Sequence, residues 1–297
     1  MNFALAPDTR SRDTMGLLVI GLGRAGQARC RDIAAAPDLH LVEALGGRAG
    51  LDAHRRAIAD PRVEAVLVCT ENASHAALAT LALEHDRHVL VEFPLADDAA
   101  AAESLLRLAN ARRRVLHLEL IGLLTERHRG LRLRAGAIAS IHADFAGGRY
   151  RWIDDELAAG HYGQLAIGRL HALWDLCGPL SLVRASRHES GGVACLEVEL
   201  VGGRGQRLRL VERRGPELPR RAELVARDPT GAELVPDPVA ALQLGLFATD
   251  LTMFAARIRG RAVVPAAVAD DAILGVARLA DAISAAASQA SGQPSLT

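Results

Sequence analysis

At 297 residues, half of them apolar, the chain is long enough for substantial cores and for about two domains. Basic and acidic residues balance at 35 each, so no net field draws the protein to nucleic acid or anionic lipid, and neither partner is expected. Every Lys/Arg position is arginine, which excludes any mechanism that needs a catalytic lysine. Cys30, Cys69, Cys177 and Cys195 lie far apart, without a CxxC pair or a Cys/His ligand spacing. They support neither a disulfide framework nor a metal site, and fit a reducing cytoplasm. The opening MNFALAPDTRSRDT has no basic stretch leading into a long apolar core, and no later apolar run reaches the length of a membrane span without charge. Residues 1–15 read as a disordered tail on a soluble protein.

From Gly16 to Leu120 short apolar strands alternate with helical stretches: GLLVIGLG (16–23), LHLVEALG (39–46), VEAVLVCT (63–70), HVLVEFP (88–94) and VLHLEL (115–120). Between the later ones lie SHAALATLALEHD and DDAAAAESLLRLANARR, with Ser74 and Asp97 as expected N-caps. Strand then helix, repeated, implies a parallel sheet with right-handed crossovers, a Rossmann domain over 16–120. The second domain is expected over 121–297, and after about residue 137 the texture changes. IASIHADFAGG, LSLVRASRHES, VACLEVELVGG, QRLRLVERRGP and RRAELVARDP read as longer strands interrupted by one helix, GQLAIGRLHALWDLCG. The expectation is an α+β domain with a large open antiparallel sheet. Helices over 239–259 and 266–288, separated by GRAVVP, close the chain. The fold class is α/β with two closely packed domains.

GLGRAG places Gly21, Leu22, Gly23, Arg24, Ala25 and Gly26 between the first strand and the first helix. A GxGxxG string alone is common. In this position Gly21 permits the tight turn, Gly23 lets a pyrophosphate approach the backbone, Gly26 lets helix and sheet pack closely, and the anion sits on the helix N-terminus. An NAD-specific site carries an acid at the tip of the second strand; here the tip reads Ala44, Leu45, Gly46, Gly47, Arg48. Glu43 lies too early, whereas Arg48 can meet a 2′-phosphate, so NADPH is favoured with NADH possible. The third strand ends in Cys69, Thr70, Glu71 and Asn72, which should line the nicotinamide half of the cofactor. His75 follows in the first helical turn, either a titrating group aimed at the cleft or an exposed helix histidine.

On GLGRAG, CTENASH and HVLVEFP the chain resembles the glucose-fructose oxidoreductase/inositol dehydrogenase family, whose members join a Rossmann domain to an α/β domain with an open antiparallel sheet. Within it, VIGLGRAG, VCTENASH, HVLVEFP, VLHLELIGLL, IGRLHALWDLCGPLSLV and VERRGPELPRR are similar to the biliverdin reductases, from about residue 16 to 260. Two departures separate the chain from the family's sugar dehydrogenases. Their E-K-P triplet is Glu92, Phe93, Pro94 here, and the Asp four residues before their helical His is Ile167, ahead of His171. Removing a sugar hydroxyl proton needs a base at one of those places.

The biliverdin reductase resemblance implies hydride delivery to the C10 methine of a linear tetrapyrrole, protonation of a pyrrole nitrogen, and a site with flat apolar surface and arginines for two propionates. Where those enzymes usually carry a tyrosine this chain has Phe93, which can supply ring packing against nicotinamide or pigment but no proton. By resemblance Arg169 binds a propionate or lactam oxygen and assists proton delivery, with His75 as the second choice for the relay and Glu92 beside the reacting centre. His171 and Arg187 are further substrate-binding candidates. A monomer, or a weak homo-oligomer through the open sheet, is expected. Two other readings stay open: a reductase of the same superfamily acting on another conjugated or imine substrate, and a non-catalytic dinucleotide-sensing protein.

Overall fold

The computed structural model describes residues 14–262 and 266–290. Of the expected tail, residues 1–13 lie outside the described residues, and Met15 already begins β1 (Met15–Ile20). That strand is buried at all six positions, which is why MGLLVI carries no polar residue: helices cover both of its faces. The chain continues through α1 (Arg24–Ala35), β2 (Leu39–Leu45), α2 (Leu51–Ala59), β3 (Ala65–Val68), α3 (His75–Glu84), β4 (His88–Val91), α4 (Ala99–Arg112) and β5 (Leu116–Leu118). The strands form one parallel sheet in the order β2-β1-β3-β4-β5. Its order reverses between β1 and β3, and the crevice at the carboxyl ends there is where such a sheet takes a ligand.

The alternation of strand and helix is as the sequence pattern predicts, but strands end earlier than the apolar runs do. HVLVEFP leaves the sheet after Val91, so Glu92, Phe93 and Pro94 are loop, with a cis bond between Phe93 and Pro94. Two caps differ from expectation. Ser74 bonds Thr70 Oγ1 and the Glu71 carbonyl, each at 2.8 Å, and caps nothing; a 3-10 turn at Asn72–Ser74 leads into α3 instead. Asp98, rather than Asp97, accepts from the Ala101 amide at 2.7 Å to cap α4.

The second half holds α5 (Glu126–Leu133), β6 (Ser140–Gly148), α6 (Arg151–Ala159), α7 (Ile167–Cys177), β7 (Leu180–Ser190), β8 (Val193–Gly202), β9 (Arg207–Gly215), β10 (Arg221–Arg227), α8 (Leu246–Ile258) and α9 (Asp270–Ala290). Strand alternation explains the sheet's two faces: Leu196, Val198 and Leu200 enter the core while Glu197 and Glu199 face away. The sheet is mixed rather than antiparallel. Its order is β10-β6-β9-β8-β7, and β6 pairs with β9 in parallel because two helices and a hairpin separate them in the chain. Helices α5 and α6 were not expected, and α8 begins at Leu246, so residues 239–245 of the expected helix are loop. The GRAVVP turn falls partly on residues 263–265, outside the described residues.

Helix α9 ties the two halves together. Ile273 and Ala277 enter the core against the parallel sheet, while Val276, Leu279, Ala280, Ile283 and Ala287 enter the core under the mixed sheet. The crossing over α7 is close: a Cβ placed on Gly275 would lie 2.1 Å from the Trp174 ring. Gly275→Val is expected to overpack this contact and cost about 1–3 kcal/mol, read as a lower urea midpoint.

Candidate functional site

The dinucleotide loop has the geometry its glycines require. Gly21 sits at φ +100°, and a Cβ there would meet the Cys69 backbone at 2.3 Å. A Cβ on Gly26 would lie 1.7 Å from the Gly21 carbonyl oxygen, so this glycine sets how closely α1 approaches the sheet. Gly23, at the N-cap of α1, faces open space, and the first turn of α1 carries no acid to compete with an anion. Gly21 to Gly26 therefore fit a pyrophosphate on the helix N-terminus, with Leu22 and Arg24 exposed at its mouth. Arg48 stands beyond the tip of β2 and reaches Glu71 at 3.4 Å, both well exposed. Thr70, Glu71 and Asn72 line the adjoining cavity, and the Asn72 amide donates to Glu156 of α6 at 2.8 Å. The Cys69 thiol is buried, and burial pushes its pKa up; it is wall rather than ligand.

Under the Glu92-Phe93-Pro94 turn lies a charged group of buried side chains. Arg29 of α1, with no exposed surface, donates to Asp250 of α8 at 2.6 Å, to Glu92 at 3.2 Å and to the Phe247 carbonyl at 2.8 Å. Burial alone would lower its pKa, but Asp250 and then Glu92 outweigh that and hold it raised. Asp250 also contacts His117 Nε2 at 2.8 Å, and Arg257 meets His117 Nδ1 at 3.0 Å. A guanidinium can only donate, so Nδ1 accepts and Nε2–H donates to Asp250. Against its own burial, His117 and Arg29 keep Asp250 below the ordinary carboxylate range. Burial pushes Glu92 up, and burial together with the Glu92 charge raises Glu119 to about 9, so Glu119 holds its proton at neutral pH. Arg29, Asp250, His117 and Glu119 gave no sequence signal as a site; they converge from α1, α8 and the end of β5.

A cavity of about 660 Å³ opens between Thr70 to Asn72, Phe93 and Pro94 on one side and β6, α7 and β9 on the other. That volume suits a drug-sized or larger flat ligand. Phe93 is half exposed, and its ring packs against α7 where Gly168 leaves room, 3.3 Å from where a Cβ would stand. Arg169 lines the cavity, bonds the Leu165 carbonyl at 2.7 Å and pairs with Glu212 at 2.6 Å; its guanidinium lies 4.2 Å from the centre of the Phe145 ring. Tyr150, Trp152, Arg214 and Arg220 complete the wall and were not expected. Arg214 was legible in part, because the period of two in VERRG puts it on the face of Glu212.

Three expected site residues are elsewhere. His75 is buried, with Nδ1 2.7 Å from the Pro94 carbonyl and Nε2 3.1 Å from that of Thr70. Burial lowers its pKa and favours the neutral ring, whose single N–H donates to one of the two carbonyls; both ring nitrogens face loop backbone rather than the cleft. His171 lies inside the α7 packing with Nδ1 unpartnered, and burial takes it down to about 4. Arg187 stacks 4.6 Å over the Tyr162 ring and does not line the cavity. Although no metal spacing is visible in the sequence, pairing of β7 and β8 brings His188, Cys195 and Glu197 within 4.8 Å of one another. Glu197 already pairs with Arg209 at 2.9 Å and Arg213 sits opposite Cys195, a positive surrounding that opposes a cation.

A parallel sheet with a glycine-lined crevice, and a mixed sheet that closes a cavity over its carboxyl ends, define a nicotinamide-dependent oxidoreductase. Residues 16–120 match the model of an oxidoreductase family with an NAD-binding Rossmann fold. The chain is 29% identical over 268 residues to biliverdin reductase A of Mus musculus, spanning 85% of this chain and 89% of that protein. Its fold is similar to that of biliverdin reductase from Synechocystis sp. PCC 6803, solved with biliverdin and NADP+: TM-score 0.72 and 21% identity over 92% of this chain and 99% of the other. It is also similar to a myo-inositol dehydrogenase from Corynebacterium glutamicum ATCC 13032, with TM-score 0.74 and 17% identity over 93% and 97% of the two chains.

Arg29→Met leaves two buried carboxylates without their cation and is expected to cost about 3–5 kcal/mol in urea unfolding, far more than an exposed arginine such as Arg48. Histidine burial contributes to the acid limb of stability, beside carboxylates such as Asp175 and Asp250 that are held below their ordinary range. His171 and His88 are both held at about 4, against an ordinary value of 6.5, so the unfolded chain binds protons there that the folded chain refuses. Their contribution is whole above pH 6.5 and drains away as pH falls toward 4. His171→Leu is expected to flatten the fall of the melting temperature between pH 6.5 and 4.5.

Proposed function

We propose that the protein is an NADPH-preferring biliverdin reductase that delivers hydride to the C10 methine of the pigment and releases bilirubin, in heme degradation. The observation that carries this reading is the aromatic-lined, arginine-bearing cavity of about 660 Å³ over the carboxyl ends of the parallel sheet, beside a triplet that has phenylalanine where a sugar dehydrogenase needs lysine. The relatives named for biliverdin reduction support it, as does the span of the match beyond the cofactor domain. The dinucleotide, when bound, supplies the hydride; the chain supplies binding, orientation and a proton path.

Gly21 to Gly26 hold the pyrophosphate. The β2 tip carries no acid for the ribose hydroxyls, and Arg48, whose exposed contact with Glu71 a phosphate can replace, favours the 2′-phosphate of NADPH over NADH. Phe93 offers a ring wall and leaves proton delivery to others. Arg169 meets a lactam or propionate oxygen and orients a proton from water or propionate, since a guanidinium with a pKa above about 12 is itself a poor acid. Glu92, locked to Arg29, fixes the turn that carries Phe93. His75 holds that turn from beneath rather than relaying a proton.

All four cysteines are free thiols, which fits work in a reducing cytoplasm, and no helix among the described residues is long and apolar enough to cross a membrane. A monomer, or a weak homo-oligomer through the open face of the mixed sheet, accompanies this reading. Steady-state assays should show the visible band of biliverdin converting to that of bilirubin faster with NADPH than with NADH. Arg169→Ala should lower turnover 10-fold or more while NADPH affinity holds. An unchanged pigment spectrum with bound NADPH would leave a reductase of another conjugated or imine substrate.

A further inference from the structure

The wall formed by α7 and β9 carries an uneven charge count. Glu212 is fully buried, and its Oε1 accepts from Arg214 Nε at 2.7 Å and from Arg169 Nη2 at 2.9 Å. Both guanidiniums lean on this one carboxylate, and both lie over the Phe145 ring, Arg169 at 4.2 Å and Arg214 at 4.5 Å from its centre. Two cations with one anion leave a positive surplus in a place where charge is expensive to bury. An excess of buried carboxylates is relieved when one of them takes a proton, but a guanidinium keeps its charge at any physiological pH.

The surplus also has open donors. Arg214 Nη1 makes no hydrogen bond among the described residues, although its side chain is only 8% exposed. Gly147 keeps this atom accessible, since a Cβ there would stand 3.3 Å from Nη1 and 2.9 Å from the Phe145 ring. Arg24 and Arg220 line the same cavity, while Glu71 is its one lining acid among the described residues.

We infer that Arg214, held in place by Glu212 beside Arg169, is the anchor for one carboxylate of the substrate, and that Glu212 is a positioning residue for both arginines. The cavity is thereby built for a flat conjugated carboxylate rather than for a neutral polyol. This inference rests on the pigment-reductase reading of the cavity. An ion-paired hydrogen bond to a buried guanidinium is strong enough that its loss is expected to weaken binding about 10- to 100-fold.

The test compares biliverdin with its dimethyl ester, measuring both NADPH-driven turnover and equilibrium pigment binding. On the unmutated protein the ester is expected to show KM and Kd raised about 10-fold or more, with a smaller loss in kcat. Arg214→Met should raise both constants for the diacid, leave them little changed for the ester, and leave NADPH affinity intact. Arg214→Lys should recover part of the loss, and Glu212→Gln should weaken the diacid more than the ester. Equal KM and Kd for diacid and ester on the unmutated protein overturn the anchor, and that result needs no variant to fold. Discrimination in binding without any turnover would sustain the anchor and sink the reductase reading.

Discussion

A guanidinium with no exposed surface has to be surrounded by acceptors, and Arg29 organises the protein by meeting that demand. Its partners come from distant parts of the chain: Glu92 after β4, Asp250 and the Phe247 carbonyl on α8. The helix that presents its N-terminus to the dinucleotide is thereby tied to the turn that carries Phe93. Asp250 passes the constraint on to His117 and Arg257, which orders the end of β5 and the outer helix. Movement of any of these elements would strand a buried charge, so the crevice between the cofactor loop and the facing cavity wall is held by electrostatics as much as by packing.

The two buried charge groups are out of balance in opposite directions. Around Arg29 and Arg257 there are three carboxyls, Asp250, Glu92 and Glu119, and the excess is relieved when Glu119 retains a proton. Around Glu212 there are two arginines and no proton that can be shed. One side of the cavity is therefore neutralised internally and the other is left positive. A chain without net charge can in this way leave one cavity wall locally positive, because what a ligand feels is the local arrangement in a place of low dielectric and not the sum over the surface.

Some features of the site were open to reading and others were not. Gly21, Gly23 and Gly26 were legible because each has a backbone task that follows from its place between a strand and a helix. Arg169 was legible only through the resemblance to the biliverdin reductases, and its buried anion, Glu212, was not. His75 and His171 misled because a histidine on a helix has the same local pattern whether it faces a cleft or the core. In the fold, the mixed pairing of β6 with β9 was hidden because alternation reports which face of a strand is buried but not which strand lies beside it. Helices α5 and α6, of eight and nine residues, were lost for want of the apolar periodicity that longer helices show.

What the sequence determined by itself is what local sterics and periodicity control: the strand-helix alternation of the first half, the glycine loop, the long strands of the second half, and the exclusion of lysine chemistry. What only the tertiary structure decided is which side chains share a space. Arg29 with Asp250, Glu212 with Arg169 and Arg214, and Phe93 against Gly168 are pairs separated along the chain or by the turn of a strand face. Burial, and with it every shifted protonation state in the site, is set by those neighbours and by the loss of water around them.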